Sequence, residues 1–158
     1  MNKRSLTCLA AVLLSACSLA QVSPKEPKKY DAALAQKLGA DQFGMKKYVM
    51  AFLKTGKKEI KDSTEMMKLQ RAHLRNIQRL AAEGKLLVAG PFLDNQPLEG
   101  IFIFNVETVE EARKLTESDP AIQAGTLEME LHPWYGSAAI REIVRIHSTI
   151  QKKSITDQ

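Results

Sequence analysis

The stretch HLRNIQRLAAEGKLLVAGP, His73 to Pro91, decides the fold. Its first half continues a helical repeat in which Met66, Leu69, His73, Ile77, Leu80 and Ala81 share one face. Asp62 followed by Glu65 is a capping box that opens this helix, and Gly84 closes it. Beyond the glycine, Leu86–Ala89 is a short apolar strand stopped by Gly90-Pro91. One histidine sits among the apolar positions, so the helix carries a titratable group toward whatever it packs against.

Upstream, Tyr48 to Leu53 is a continuous apolar run ended by Thr55-Gly56, which predicts a strand buried on both faces. Downstream, the loop Phe92–Glu99 holds the turn residues Asp94, Asn95 and Pro97. Gly100 then leads into Ile101–Val106, a third strand apolar on both faces. Thr108 with Glu111 caps a second helix that ends before Pro120. Leu127, Met129 and Leu131 alternate with Glu128, Glu130 and His132 in a half-exposed fourth strand. A last amphipathic helix starts at Ala138, with Ile140, Ile143, Val144, His147 and Ile150 on one side. The order β-α-β-β-α-β predicts a ferredoxin-like α+β fold with an extra C-terminal helix. Two helices cover one face of such a sheet, yet the first and third strands are apolar on both. A homodimer, sheet against sheet, is the expected cover; the alternative is the C-terminal helix folded back within one chain.

The amino terminus reads as a targeting signal. Lys3 and Arg4 precede a short apolar core, Leu6–Leu14, too short to span a bilayer as a mature helix. Leu14-Ser15-Ala16-Cys17 fits a bacterial lipobox, giving a signal over residues 1–16 and a lipid on Cys17 that anchors the protein to the cell-envelope membrane. Ser18-Leu19-Ala20 fits ordinary signal peptidase, giving residues 1–20 and a soluble exported protein. The lipobox is preferred, because a cysteine closing the apolar core is the narrower coincidence. Residues 17–45 are expected as a tether, with one short helix over Asp31–Leu38 before Gly39. The domain follows over 46–135 and a helical tail over 136–158.

The 158 residues carry 44% hydrophobic and 26% charged side chains, an ordinary globular balance. Net charge is +5; without Lys3 and Arg4, 21 basic residues face 18 acidic ones, leaving +3, too little to argue for nucleic acid. Cys8 lies in the signal core, so the exported chain stands without disulfides. His73, His132 and His147 lack ligand-like spacing and thiolate companions, so no metal is expected. Neither a phosphate-cradling glycine loop nor a nucleophile elbow is present, and no cofactor is implied.

His73 is the leading candidate for chemistry, since a neutral imidazole accepts or donates a proton near neutral pH. Its plain alternative is a core-edge histidine with one satisfied hydrogen bond. Asp119 is its natural partner. Pro120 pushes it out of helical geometry, where it caps a short turn through Ala121–Ala124; capping alone is the plain alternative there. His132-Pro133-Trp134-Tyr135 reads as edge packing at a strand end or as a pocket mouth.

The series His73…Leu80-Ala81-Ala82-Glu83-Gly84-Lys85-Leu86-Leu87-Val88-Ala89-Gly90-Pro91, then Asp119-Pro120-Ala121-Ile122-Gln123-Ala124-Gly125, resembles the YciI (YCII-related) family from about Lys46 to Trp134. The resemblance implies a dimeric α+β barrel type of ferredoxin-like fold and an active site built from a histidine and an aspartate, here His73 and Asp119. In one characterised branch that dyad carries out dehydrochlorination. The export signal, the tether and the tail after Trp134 set this chain apart from the short cytoplasmic members. The expectation is an exported, cofactor-independent lyase, isomerase or hydrolase acting on a small organic molecule. The alternative is a non-catalytic envelope lipoprotein that binds a small ligand or supports an assembly.

Overall fold

The computed structural model describes residues 29–157 apart from Asn95. The signal over 1–16 (or 1–20) and Cys17 therefore lie outside the described residues. The elements are α1 (Ala32–Leu38), β1 (Met45–Thr55), α2 (Ser63–Ala82), β2 (Leu86–Pro91), β3 (Leu98–Phe104), α3 (Val109–Thr116), α4 (Pro120–Ala124), β4 (Leu127–Ser137) and α5 (Ile143–Ile150). Short 3-10 turns occupy Ala138–Glu142 and Ile155–Asp157. The four strands form one antiparallel sheet in the order β2-β3-β1-β4, the ferredoxin-like arrangement expected from the element order.

Side-chain alternation along β1 and β3 sorts the two faces. Val49, Ala51, Leu53, Phe102 and Phe104 point to one side, where Leu80 of α2 and Ala112 of α3 complete the main core. Tyr48 and Ile103 point to the other, with Leu87 and Trp134. An irregularity between Leu86 and Val88 in the β2–β3 pairing lets Leu87 and Val88 both join that second cluster. Caps hold the helices as the sequence requires. Asp62 accepts from the Glu65 N–H at 2.8 Å, and Thr108 with Glu111 closes a full capping box. At Asp62 only the forward half of the expected box forms.

Four expectations are corrected. The second half of the expected tether is not a tether: from Asp31 onward the chain belongs to the folded unit. α1, capped by Asp31 and ended at Gly39, buries Leu38, and Arg141 donates to the Lys37 carbonyl at 3.0 Å. On α2, Met66 is exposed and Asn76 is buried, because the first turns overhang a cavity and only the later ones meet the core. β4 runs through His132-Pro133-Trp134-Tyr135 to Ser137, so these residues lie within an edge strand and not at its end. Trp134 packs on Tyr48 with ring centroids 5.9 Å apart, and its indole fills the space a Cβ on Gly136 would need.

The C-terminal helix is the fourth. It begins as the 3-10 turn Ala138–Glu142, and only Ile140 and Val144 of the expected face pack inward, onto the Tyr48, Leu87 and Ile103 cluster. Ile143, Ile146 and Ile150 are exposed. Part of the second sheet face is thus covered within one chain. Among the described residues no helix is long and apolar enough to cross a membrane.

Candidate active site

His73 lies on the turn of α2 that first meets the sheet, with Asn76 and Leu80 below it on the same face. Its ring lies over Phe102 at a centroid distance of 6.1 Å and an interplanar angle of 16°. Asp119 arrives from the turn between α3 and α4. The residue before a proline avoids helical geometry, and its φ of −83° and ψ of 123° make it the N-cap of α4. One carboxylate oxygen accepts from the Ala121 N–H at 2.9 Å. The cap thereby aims the rest of the carboxylate at α2.

His73 Nδ1 lies 2.9 and 2.8 Å from the two Asp119 oxygens. Asn76 Nδ2 donates to the same carboxylate at 3.2 Å. Burial pushes the Asp119 carboxyl up. The hydrogen bond and charge of His73, the Ala121 N–H and the Asn76 amide outweigh it and hold the group below the usual carboxylate range. An ionised carboxylate only accepts, so Nδ1 carries a proton whichever charge state the ring has, and in the neutral form the lone pair is on Nε2. Asn76 is oriented in turn. Arg79, which only donates, reaches its Oδ1 at 2.7 Å and thereby leaves Nδ2 for Asp119. Ser118 Oγ accepts from Arg79 at 3.0 Å and fastens the α3–α4 turn to α2.

His73 borders a cavity of about 550 Å³, a volume within the small-molecule range. Its Nδ1 is taken up by Asp119, which is 1% exposed, so Nε2 is the ring nitrogen left for a molecule in the cavity. Leu53, Leu74, Ile77, Phe102 and Leu127 give apolar walls, while Arg71, Glu99 and Gln70 supply polar groups. Arg71 makes no ion pair among the described residues. The site thus presents one oriented proton acceptor inside a mainly apolar chamber.

Residues 48–135 match the model of the YCII-related domain, more than half of the chain. The chain belongs to the YCII-related domain family. The family match covers both His73 and Asp119, and it ends two residues before β4 does. "Uncharacterized protein YjpA" of Bacillus subtilis (strain 168) is 31% identical over 62 residues, which cover 39% of this chain and 71% of that relative. A solved structure with a similar fold is 5-chloro-2-hydroxyhydroquinone dehydrochlorinase (TftG) from Burkholderia phenoliruptrix AC1100 in complex with 2,5-dihydroxybenzoquinone. It is 21% identical with a TM-score of 0.41, over 54% of this chain and 92% of that one.

Both residues singled out in the sequence therefore meet in this YCII-related domain. His132 does not join them; it pairs with Glu130 on the opposite face of the sheet. His147 is exposed on α5. Among the described residues no group of three or more His, Cys, Asp or Glu is arranged to hold a metal ion. Sequence reasoning missed Asn76, Arg79 and Ser118. For Asn76 a signal existed, since it falls three residues after His73 and four before Leu80, on the inward face.

Proposed function

We propose that this protein is a general acid–base catalyst for a small organic molecule with a largely apolar body. His73 Nε2 takes the proton from the substrate and returns it to the product or leaving group. Asp119 accepts from Nδ1–H throughout, fixing the tautomer and stabilising the imidazolium formed when Nε2 is protonated. Asn76 and the Ala121 N–H hold the carboxylate still, and the apolar walls exclude water and position the substrate body. Arg71 and Glu99 at the cavity offer recognition of polar substituents. The observation that carries the reading is the bond from Nδ1 to a fully buried, capped carboxylate in a histidine that lines a chamber of substrate size, which supports Nε2 as the nitrogen that exchanges the proton.

The test is a panel of small carbon acids (β-diketones, β-keto esters and lactones) incubated in D2O and followed by NMR for deuterium uptake or elimination. Any substrate found should react about 10²–10⁴ times more slowly with His73→Ala. Near-full turnover by that variant excludes the mechanism.

The reading includes export and lipid attachment at Cys17. Palmitate should label the wild type and not Cys17→Ser, and equal labelling would remove the anchor. It also includes a homodimer, supported by Phe52 and Ile101, half-buried residues on the sheet face that holds the Tyr48 cluster. Light scattering at micromolar concentration should give twice the chain mass.

A further inference from the structure

The chain after α5 returns to the active site. α5 packs through Val144 on the sheet face that carries Tyr48, Leu87 and Ile103. Only a few residues later, Ile155 and Thr156 line the cavity beside His73, on the face that carries α2. α5 neighbours the edge strand β2 and the terminal turn neighbours α2, so the chain changes sheet face on the β2 side. It ends in a turn with its own hydrogen bonds. The Ser154 N–H donates to Asp157 Oδ2 at 3.1 Å, the Asp157 N–H donates to the Ser154 carbonyl at 3.1 Å, and the Ser154 and Thr156 hydroxyls lie 2.9 Å apart.

Among the described residues, the hydrogen bonds that tie this turn to the domain come from one side chain. The Gln78 amide, part-buried on α2, donates one hydrogen to Ser154 Oγ and the other to Thr156 Oγ1, the latter at 3.2 Å. Ile155 between them remains 49% exposed and faces the cavity, so it serves no core. It bounds the chamber and does little else. The turn also lies beyond residue 135, where the family match ends, so the shared domain alone has a chamber without this wall. A self-contained turn held by one amide opens without disturbing the sheet or the helices.

We infer that the Ser154–Asp157 turn is a gate over the His73 chamber, with Gln78 as its latch and Ile155 as the residue that sets the size of molecule admitted. Its value to catalysis rests on the proposed role of His73, but its existence does not. An open gate admits substrate past Ile155, and a closed one removes water from around Nε2.

Diethyl pyrocarbonate, which acylates an accessible unprotonated imidazole nitrogen, reads this gate in the full chain without any substrate. Modification of His73 is followed by peptide mass spectrometry, with the exposed His132 and His147 as references in the same sample. Gln78→Ala, which removes both hydrogen bonds to the turn, should raise the His73 rate relative to those references at least about fivefold, the factor by which one net hydrogen bond shifts an opening equilibrium, and Ile155→Ala, which removes only bulk, should raise it by less. Ile155→Trp, with more bulk at the same point, should lower it. Unchanged relative rates in both Ile155 variants overturn the gate, and these variants change a half-exposed residue that the fold does not need. The two readings fail separately. A gated His73 in a protein without turnover sinks the catalytic role alone, whereas turnover with ungated His73 sinks the gate alone.

Discussion

Two histidine–carboxylate pairs of equal length sit on opposite faces of one sheet. His73 Nδ1 is 2.8 Å from Asp119, and His132 Nε2 is 2.8 Å from Glu130. In the first pair the side chains are 9% and 1% exposed; in the second they are 47% and 46% exposed. Asp119 is also held by a backbone N–H and by Asn76, whereas Glu130 shares its oxygens with the flexible Lys54. Distance therefore does not distinguish a dyad from a surface contact. What distinguishes them is the number of other groups that must be left unpaired if the contact breaks. Around Asp119 those are buried donors, while around Glu130 water replaces every partner.

Removing Asp119 tests this most severely. Asp119→Ala deletes the cap of α4 and strands the His73 and Asn76 donors in a buried site. It should lower unfolding free energy in urea by about 3 kcal/mol. Asp119→Asn retains a good N-cap and should lose much less. Its amide can, however, present a donor to Nδ1 and shift the proton of the neutral ring to Nε2, which the ¹⁵N spectrum of His73 reports directly. A loss for Asp119→Ala no greater than that of an exposed carboxylate would erase the distinction between the two pairs.

Acid sharpens the comparison. Folding holds the Asp119 carboxyl below its ordinary value, so the unfolded chain binds the proton more readily. The contribution is complete above the unfolded carboxylate range of about 3.9 and is lost as pH falls from there through the lower folded value. Urea midpoints should drop across that window in the wild type and drop less steeply in Asp119→Asn. Glu130→Gln should leave the slope almost as it is, since the Glu130 carboxylate is exposed to solvent.

Local chemistry explains which parts of this were legible in the sequence. Asp62, Gly84, Thr108, Glu111 and the Asp119-Pro120 pair each state a helix boundary through residues within one turn, and all are used there. The strand faces followed from alternation in β1 and β3. The His73–Asp119 contact spans 46 positions and no spacing rule reaches that far; the family resemblance suggested it. Asn76 was hidden because a polar side chain on an amphipathic helix reads as solvent-facing unless its buried partners are known. The C-terminal helix misled for a related reason. Its apolar residues outnumber what one face can bury, so periodicity could not say that Val144 turns inward while Ile146 and Ile150 remain outside. The Ser154–Asp157 turn has no apolar period at all, and its hydrogen bonds to Gln78 join positions 76 and 78 residues apart.

A smaller effect is expected one step back from the carboxylate. Arg79 is half-exposed, yet it fixes which end of the Asn76 amide faces Asp119. Arg79→Met keeps the aliphatic stem and removes the donor. Stability should fall by about 1 kcal/mol, the worth of one net hydrogen bond. The part of the loss that runs through Asn76 should vanish in an Asn76→Ala background, so the double variant should cost less than the sum of the two single variants. Fully additive losses would mean that Arg79 acts through Ser118 and Glu83 instead.

The least effect belongs to the second pair. Glu130→Gln removes the charge that His132 and Lys54 share on the open sheet face, and both partners regain water at once. The urea midpoint at neutral pH should not move beyond experimental error, and neither should the ¹⁵N pattern of His73 across the sheet. A clear loss of stability would show that the proposed dimer seam over Phe52 and Ile101 extends across Glu130 to His132, whose ring meets that of Phe52 edge to face at 5.5 Å. In that case concentration, through the monomer–dimer equilibrium, should change the midpoint of the wild type and not that of the variant. The surface pair would then owe its strength to the same cause as the buried one, exclusion of water, supplied by a neighbour instead of by the fold.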